Sequence, residues 1–512
     1  MTLAPDERRI AVIDLGSNSF RLVVFTWVPG SWWKRTDEIF ESVRIGEGQA
    51  PSGDLQPAPM ERALETLELY AHYCRATEIP EIRPVATSAI REAGNQREFL
   101  DAVKERTGLS VRVLSQQEEA SYGYLAAVNS TTLTNGIAFD IGGGSMQLSR
   151  VRNRRAEHMH SWQLGAVRMT ERFLADGKAK PKRLRNLRSF VADELKCAGW
   201  LAGAGASRGE RLVGVGGTVR NLAAAAMYAD GLPLHGIQGY AITAERLERM
   251  VEAFAQMPAA ERWRVPGIKP ERGDLILAGA VVVQTVLQAG GFSSIEATEA
   301  GLREGVFFER LLQDHEQSLF PDVRDAAVHN LAAQYRAEGP HARHVARLAL
   351  EMWDGLGAAG LHPGIPEERN LLYAAGLLHD VGTAVDYDDH HKHSKYLILN
   401  AGLFGFDPRE TALIGQMARY HRKGTPTLGE LTPLARPGDD RILLRCSTVL
   451  RLAEQLERSR DQSVQHVRVE VKDGKVDLRL DATGDVSVAR WAVERQRDLF
   501  RRSFSRELVV AD

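Results

Sequence analysis

The strongest constraint on the fold of this chain is a short pattern that occurs twice. IAVIDLG is β-rich, SNS has turn chemistry and FRLVVF is apolar and β-branched, so residues 10–25 read as strand, tight turn, strand. GIAFDIGGGSMQLSRV, starting at Gly136, has the same plan: Asp14 recurs as Asp140, Gly16 as Gly142, Ser19 as Ser145 and Leu22 as Leu148, all at one offset. Matches in register point to two related half-domains, and two related lobes facing each other make a cleft. Between the repeats, Ala63, Leu64, Leu67, Leu69, Tyr70 and Tyr73 fit a helix over about 58–79. A strand RPVATSA, a helix over about 95–107, a strand VRVLS and a helix QQEEASYGYLAAV with an acidic first turn follow. Strands and helices alternate, so the class is α/β.

A chain of 512 residues is too long for one core and predicts roughly three or four domains. The two lobes take residues 1–124 and 125–315, the second closing near Leu311 after a Gly loop LVGVGGTVRNL and a long apolar helix around 273–289. Beyond about Phe320 the texture turns to amphipathic helices rich in Ala, Leu, Arg and His, predicting a helical domain over 316–460. The tail, 461–512, pairs HVRVEV with KVDLRLD across Lys472-Asp473-Gly474, then continues as a helix over about 488–504 and a strand ELVV, a small α/β domain. Lys and Arg number 65 against 67 Asp and Glu, for a net charge of -2, which excludes a generic nucleic-acid binder held by a global positive field. There is no apolar run of membrane-spanning length, and the N-terminal MTLAPDERR lacks the apolar core of a signal peptide, so the expectation is a cytoplasmic protein. Cys74, Cys197 and Cys446 are widely spaced and read as buried small hydrophobes without a disulfide.

Phosphate binding needs converging backbone N–H groups, hence positions without a Cβ penalty, with hydroxyl or cationic donors beside them. DLGSNS and DIGGGS supply this on strand-to-strand turns, each opening with an aspartate suited to a divalent metal or its bound water. A third loop, Gly214 to Thr218, has the same chemistry. The cations Lys178, Lys180, Lys182, Arg183, Arg185 and Arg188, with no acid among them, read equally as a track for an anionic chain or as a solvated helix face.

IDLGSNSFRLVV, ATSAIREA, EEASYGYL, FDIGGGSMQLS, GVGGTVRNL and AGLREGVFFE, in this order over about residues 10–310, resemble the exopolyphosphatase and guanosine pentaphosphate phosphatase family. The resemblance implies two actin-like, ribonuclease H-like lobes and hydrolysis of a terminal phosphate from inorganic polyphosphate or from pppGpp. By the same resemblance Glu119 is the catalytic base that activates water, with Glu118 its surface-facing neighbour, and Arg91 neutralises transition-state charge. Asp14 and Asp140 would position Mg2+, and Ser17, Asn18, Ser19, Arg21, Ser88, Gly142, Gly143, Gly144, Ser145, Gly216, Gly217 and Thr218 would bind the phosphates. One departure stands out: where the family shows Ser-Thr-Glu, this chain has Ser145-Met146-Gln147, which keeps an oxygen ligand but loses a charge.

In the helical domain His341, His379-Asp380, His390, His391, His393 and His421 resemble the HD phosphohydrolase pattern, with Glu454, or Glu457 in another register, in place of the closing aspartate. That resemblance implies a metal site at His341, His379 and Asp380. The expected activity is an Mg2+-dependent exopolyphosphatase acting on polyphosphate and (p)ppGpp-type ligands, with a homodimer as the expectation from the family. A pppGpp 5'-phosphohydrolase and a non-catalytic polyphosphate or alarmone sensor, the latter motivated by Gln147, remain alternatives.

Overall fold

A computed structural model describes residues 6–49, 52–206, 209–234, 236–337 and 339–511. It divides into two compact units, Met1–Gly231 with Ile237–Val323, and Leu232–Gly236 with Arg324–Asp512. In the first unit the repeated hairpin nucleates two sheets of the same plan. β1 (Arg8–Leu15) pairs antiparallel with β2 (Phe20–Val28), which pairs with β3 (Trp32–Glu41). On the other side β1 runs parallel to β4 (Glu81–Ala86), and β4 to β5 (Arg112–Val113), giving the order β3-β2-β1-β4-β5.

β6 (Gly136–Ile141), β7 (Met146–Arg152) and β8 (Arg155–Trp162) repeat the antiparallel half, and β9 (Arg211–Val215) lies parallel to β6. With β10 (Ala241–Thr243) and β11 (Ser294–Ala297) the second sheet reads β10-β11-β9-β6-β7-β8. The duplication therefore extends from a six-residue turn to a whole topology. Central strands of such sheets are covered on both faces and must be apolar throughout, as Ile10, Ala11, Val12 and Ile13 on β1 and Ile137 and Phe139 on β6 are, all fully buried. The helix Ile276–Gly290 is apolar all round and buried along nearly its whole length against the second sheet's helices. Asp14 and Asp140 end the two central strands at their carboxyl ends, where open α/β sheets place their ligands.

The second unit is built from the helices Pro340–Ala358, Pro366–Leu378, His390–Asn400, Pro408–Tyr420 and Asp439–Leu456, followed by a small sheet. β12 (Val464–Lys472) and β13 (Lys475–Ala482) form a hairpin whose turn residues Asp473 and Gly474 both have positive φ, as a two-residue turn of this hand requires. β14 (Glu507–Ala511) lies parallel to β13. Val464, Val467, Val476, Leu478, Phe500 and Phe504 share one apolar cluster with Leu348, Trp353, Leu371 and Leu450, so sheet and helices bury a common core.

Two local expectations need correction. The segment 488–504 is two helices, Ser487–Glu494 and Arg497–Phe504, because Gln496 N–H turns to the Val493 carbonyl and tightens the chain by one residue. Cys197 is exposed, not buried: it lies just past the end of the helix Pro181–Leu195, its Sγ 3.2 Å from the Glu194 carbonyl. Among the described residues no helix is long and apolar enough to cross a membrane.

Candidate active site

The two copies of the glycine turn meet in one cleft. A Cβ on Gly144 would fall 2.3 Å from Ser88 Oγ and 3.0 Å from Ser17 Oγ, so only glycine lets the second turn come this close to the first. Ser17 and Ser88 are themselves hydrogen-bonded, Oγ to Oγ, at 3.1 Å. The third loop closes on the same point: Gly216 has φ +92, and a Cβ there would stand 2.7 Å from Asp140 Oδ1. Asp14, Ser17, Asn18, Ser19, Arg21, Ser88, Glu119, Asp140, Gly142, Gly143, Ser145, Gly216 and Gly217 all line the cleft.

Three expected residues are placed otherwise. Gly144 lies beneath Ser17 and Ser88 and does not line the cleft, and Arg91 reaches the site through Glu119. Thr218, in the first turn of the helix Gly217–Ala229, is buried against Gly279 and does not line the cleft.

Glu119 sits in the first turn of the helix Gln116–Ser130. Its neighbour Glu118 closes a capping box with Ser115, the two backbone N–H groups bonding at 3.2 and 2.8 Å, and pairs with Arg112 toward solvent. That cap aims Glu119 the other way, inward, where it is 5% exposed. Arg91 Nη1 donates to its Oε2 at 2.7 Å and to the Leu114 carbonyl at 2.9 Å. Ser145 Oγ donates to Oε1 at 2.9 Å, and Gln147 Nε2 donates to Ser145 Oγ at 2.9 Å and to Ser161 Oγ at 3.1 Å. Because the Gln147 amide is a donor to Ser145, the serine proton is free to point at Glu119, a direction a carboxylate at 147 would compete for. Burial pushes the Glu119 carboxyl above its ordinary range, with Arg91 and Ser145 holding it down.

The same enclosure raises Asp14 and pushes Asp140 up to about 7, with Glu119 adding to the effect on Asp140. Opposite these carboxylates stand Arg21, Arg220, Arg272 and Arg303. Burial, followed by repulsion from Arg303 or Arg21, pushes Arg220 and Arg272 down to about 10, still charged at neutral pH. Asn18 Nδ2, Arg91 Nε and Nη2, Arg272 Nη1, and Arg303 Nε and Nη1 are buried with no hydrogen-bond partner among the described residues. Donors of this kind are costly unless an anion meets them. Arg220, Arg272 and Arg303 were not anticipated as site residues. The signal for two of them was present, since Arg220 follows the Gly loop in GVGGTVRNL and Arg303 opens the helix in AGLREGVFFE; Arg272, on the short turn Pro270–Arg272, carries none.

The expected cationic run is divided. Lys178, Lys180, Lys182 and Arg185 are exposed, Arg183 pairs with Asp176, and Arg188 turns inward to Gln284 Oε1 at 3.2 Å. In the second unit His341, His379 and Asp380 do come together, and Asp380 also groups with His390 and His421; His391 and His393 are in neither group.

A cleft with converging glycine turns, an arginine cluster and a buried carboxylate is a site for a phosphate-bearing anion. The Ppx/GppA phosphatase family matches residues 30–314, and domain III of the Ppx/GppA phosphatases matches residues 323–497. The chain belongs to the Ppx/GppA phosphatase family. It is similar to the Ppx/GppA family member of Aquifex aeolicus, at 26% identity and a TM-score of 0.52 over 60% of this chain and 99% of that one. A solved exopolyphosphatase-like protein is 27% identical with a TM-score of 0.53, over 59% of this chain and 97% of the other. An exopolyphosphatase from Cytophaga hutchinsonii shares the fold at 21% identity and a TM-score of 0.55, over 60% and 99% of the respective chains.

Proposed function

We propose that the cleft removes the terminal phosphate of inorganic polyphosphate by attack of a water molecule activated by Glu119. The observation that carries this reading is the placement of Glu119: a buried carboxylate, held by Arg91 and Ser145, at the point where the two glycine turns meet. In the reaction the water loses its proton to Glu119, its oxygen bonds to the terminal phosphorus, and the bridging P–O bond breaks toward the shortened chain. The glycine turns and Ser17, Ser19 and Ser145 would hold the terminal phosphate oxygens. Arg21, Arg220, Arg272 and Arg303 match the charge of a substrate with several phosphates in a row, since guanidinium groups pair with phosphate through two hydrogen bonds at once. Similarity to an exopolyphosphatase-like protein supports the same substrate class.

The metal-ligating donors around Asp14 and Asp140 are carboxylate and hydroxyl oxygens without imidazole or thiolate, and burial leaves both carboxylates desolvated, so these residues fit a hard cation such as Mg2+. Asp14 and Asp140 would hold it, and it would supply charge neutralisation at the phosphate oxygens.

The test is orthophosphate release from long-chain polyphosphate and, in parallel, from pppGpp, with Mg2+ present. Loss of a general base lowers rate by roughly 10²- to 10⁴-fold, so Glu119→Gln should fall in that range with little change in KM. Full activity in that variant would overturn the assignment of Glu119, and release from pppGpp alone would replace polyphosphate as the substrate.

A further inference from the structure

Behind the glycine turns, the two sheets of the first unit are tied together by a chain of charges that alternate in sign: Glu119, Arg91, Glu92 and Arg168. Arg91 is 2.7 Å from Glu119 and 3.9 Å from Glu92, and Arg168 is 2.7 Å from Glu92. Arg91 ends the short helix Ser88–Arg91 and Glu92 caps it, just after β4 of the first sheet. Gln163 and Arg168 come just after β8 of the second.

Arg168 lies in the first turn of the helix Ala166–Leu174, which is built against the second glycine turn. Gly165 N–H donates to the Gly144 carbonyl at 3.3 Å, Ala166 N–H to that of Gly142 at 3.0 Å and Val167 N–H to that of Gly143 at 2.8 Å. In a planar trans peptide the C=O and the following N–H point in opposite directions. With these carbonyls tied to the helix, the N–H groups of Gly143, Gly144 and Ser145 therefore face away from it.

The Arg168 guanidinium carries this turn across to Arg91. Its Nε donates to the Gly144 carbonyl at 3.3 Å, its Nη1 to Gln163 Oε1 at 3.2 Å and its Nη2 to Glu92 Oε2 at 2.7 Å. Gln163 Nε2 donates to the same Glu92 oxygen at 3.0 Å. Each nitrogen of a rigid planar fork is spent on a different group, which fixes Glu92 relative to Gly144. The other Glu92 oxygen, Oε1, is buried without a hydrogen-bond partner among the described residues and faces Arg91 Nη2, which is buried in the same condition. Opposite charges at that separation attract without sharing a hydrogen bond, so Arg91 Nη2 is steadied from one side while Nη1 is committed to Glu119 on the other.

We infer that Glu92 and Arg168 are positioning residues for hydrolysis in this cleft: their ion pair locks the second glycine turn to Arg91, and through Arg91 to Glu119. The groups that hold the phosphate and the group that activates water then keep one spacing. The inference rests on the reading of Glu119 as the base. Neither Glu92 nor Arg168 lines the cleft, so both act through Arg91 and the Gly144 peptide and not on the substrate. Reaction rate is sensitive to displacements of about 1 Å. An ion pair with side chains 35% and 21% exposed, by contrast, adds little to stability.

That contrast sets the test, steady-state phosphate release by the full-length chain from polyphosphate or pppGpp, whichever the wild-type chain hydrolyses. Glu92→Gln and Arg168→Met should each lose roughly 10- to 100-fold in kcat with KM changed less than about threefold. Their melting temperatures should move by no more than about 3 °C. The double variant should be no slower than the slower single one, since both changes break the same link. Arg168→Lys, which keeps the charge but not the three-way fork, should behave like Arg168→Met and takes its place if that variant does not fold. With Glu119→Gln inactive, wild-type kcat in Glu92→Gln, or losses that multiply in the double variant, would overturn the inference and leave the base in place. A kcat loss matched by a large drop in melting temperature would make the pair structural and overturn it as well. Full activity in Glu119→Gln, or release from neither substrate by the wild-type chain, would instead overturn the reading of the base, and the inference with it.

Discussion

Arg91→Met isolates what holds the proposed base in its working state. Arg91 Nη1 donates to Glu119 Oε2 at 2.7 Å, and the Glu119 carboxyl is already raised by burial, with Arg91 the largest influence pulling it down. A hydrogen bond to a charged group contributes about 1.5–3 kcal/mol, so its loss should raise the Glu119 carboxyl further. Only the ionised carboxylate accepts a proton from water, so the acid limb of kcat/KM should move to higher pH, each pH unit below it lowering the rate about tenfold. The assay is orthophosphate release from polyphosphate across about pH 5–9. Stability carries the same sign. With Glu119 raised further above its unfolded value, the folded chain binds the extra proton, so the variant is destabilised at neutral pH and regains stability as pH falls. A uniform loss of rate with an unshifted limb would refute the argument and leave Arg91 acting on phosphate alone.

Gly144→Ala should force the two turns apart, since its Cβ would meet Ser88 Oγ at 2.3 Å; overpacking of this kind costs about 1–3 kcal/mol. Activity should drop at least about tenfold by the positional sensitivity of such sites, Ser88→Gly should recover part of the lost melting temperature, and wild-type melting in Gly144→Ala itself would show that the approach is not close. His362 is stacked on Trp353 with ring centroids 3.8 Å apart, with Nε2 donating to the Trp353 carbonyl at 2.7 Å and Nδ1 accepting from Gly364 N–H at 3.1 Å. Burial holds its pKa below 6.5, so acidification protonates the unfolded chain first and stability is lost as pH falls below about 6.5. His362→Gln should therefore show a shallower fall in melting temperature between about pH 7.5 and 5.5, and an equal slope in both proteins would rule the effect out.

Local chemistry was legible in the sequence wherever it acts over a few residues. Strand–turn–strand patterning located both glycine turns, and their duplication anticipated two sheets of one plan. The acidic run after Ser115 marked a helix start, while the outward placement of Glu118 came from the family resemblance. The family's motifs carried the role expected of Glu119, and the capping geometry turns that side chain into the cleft. Pattern alone did not reveal that the chain tightens at Gln496 or that Cys197 lies at the surface, because each depends on how one helix ends.

What only the tertiary structure decided is convergence. Arg220, Arg272 and Arg303 are separated by tens of residues, and their shared aim into one cleft follows from the packing of loops and helices around the second sheet, which no local period encodes. The burial that raises Glu119 and Asp140 arises in the same way, since desolvation is a property of everything folded around a group. The histidines of the second unit were visible as a composition. That His379, His390 and His421 all turn Nε2 toward Asp380 is set by backbone carbonyls three residues before each of them, and by helix ends that meet only in the folded chain.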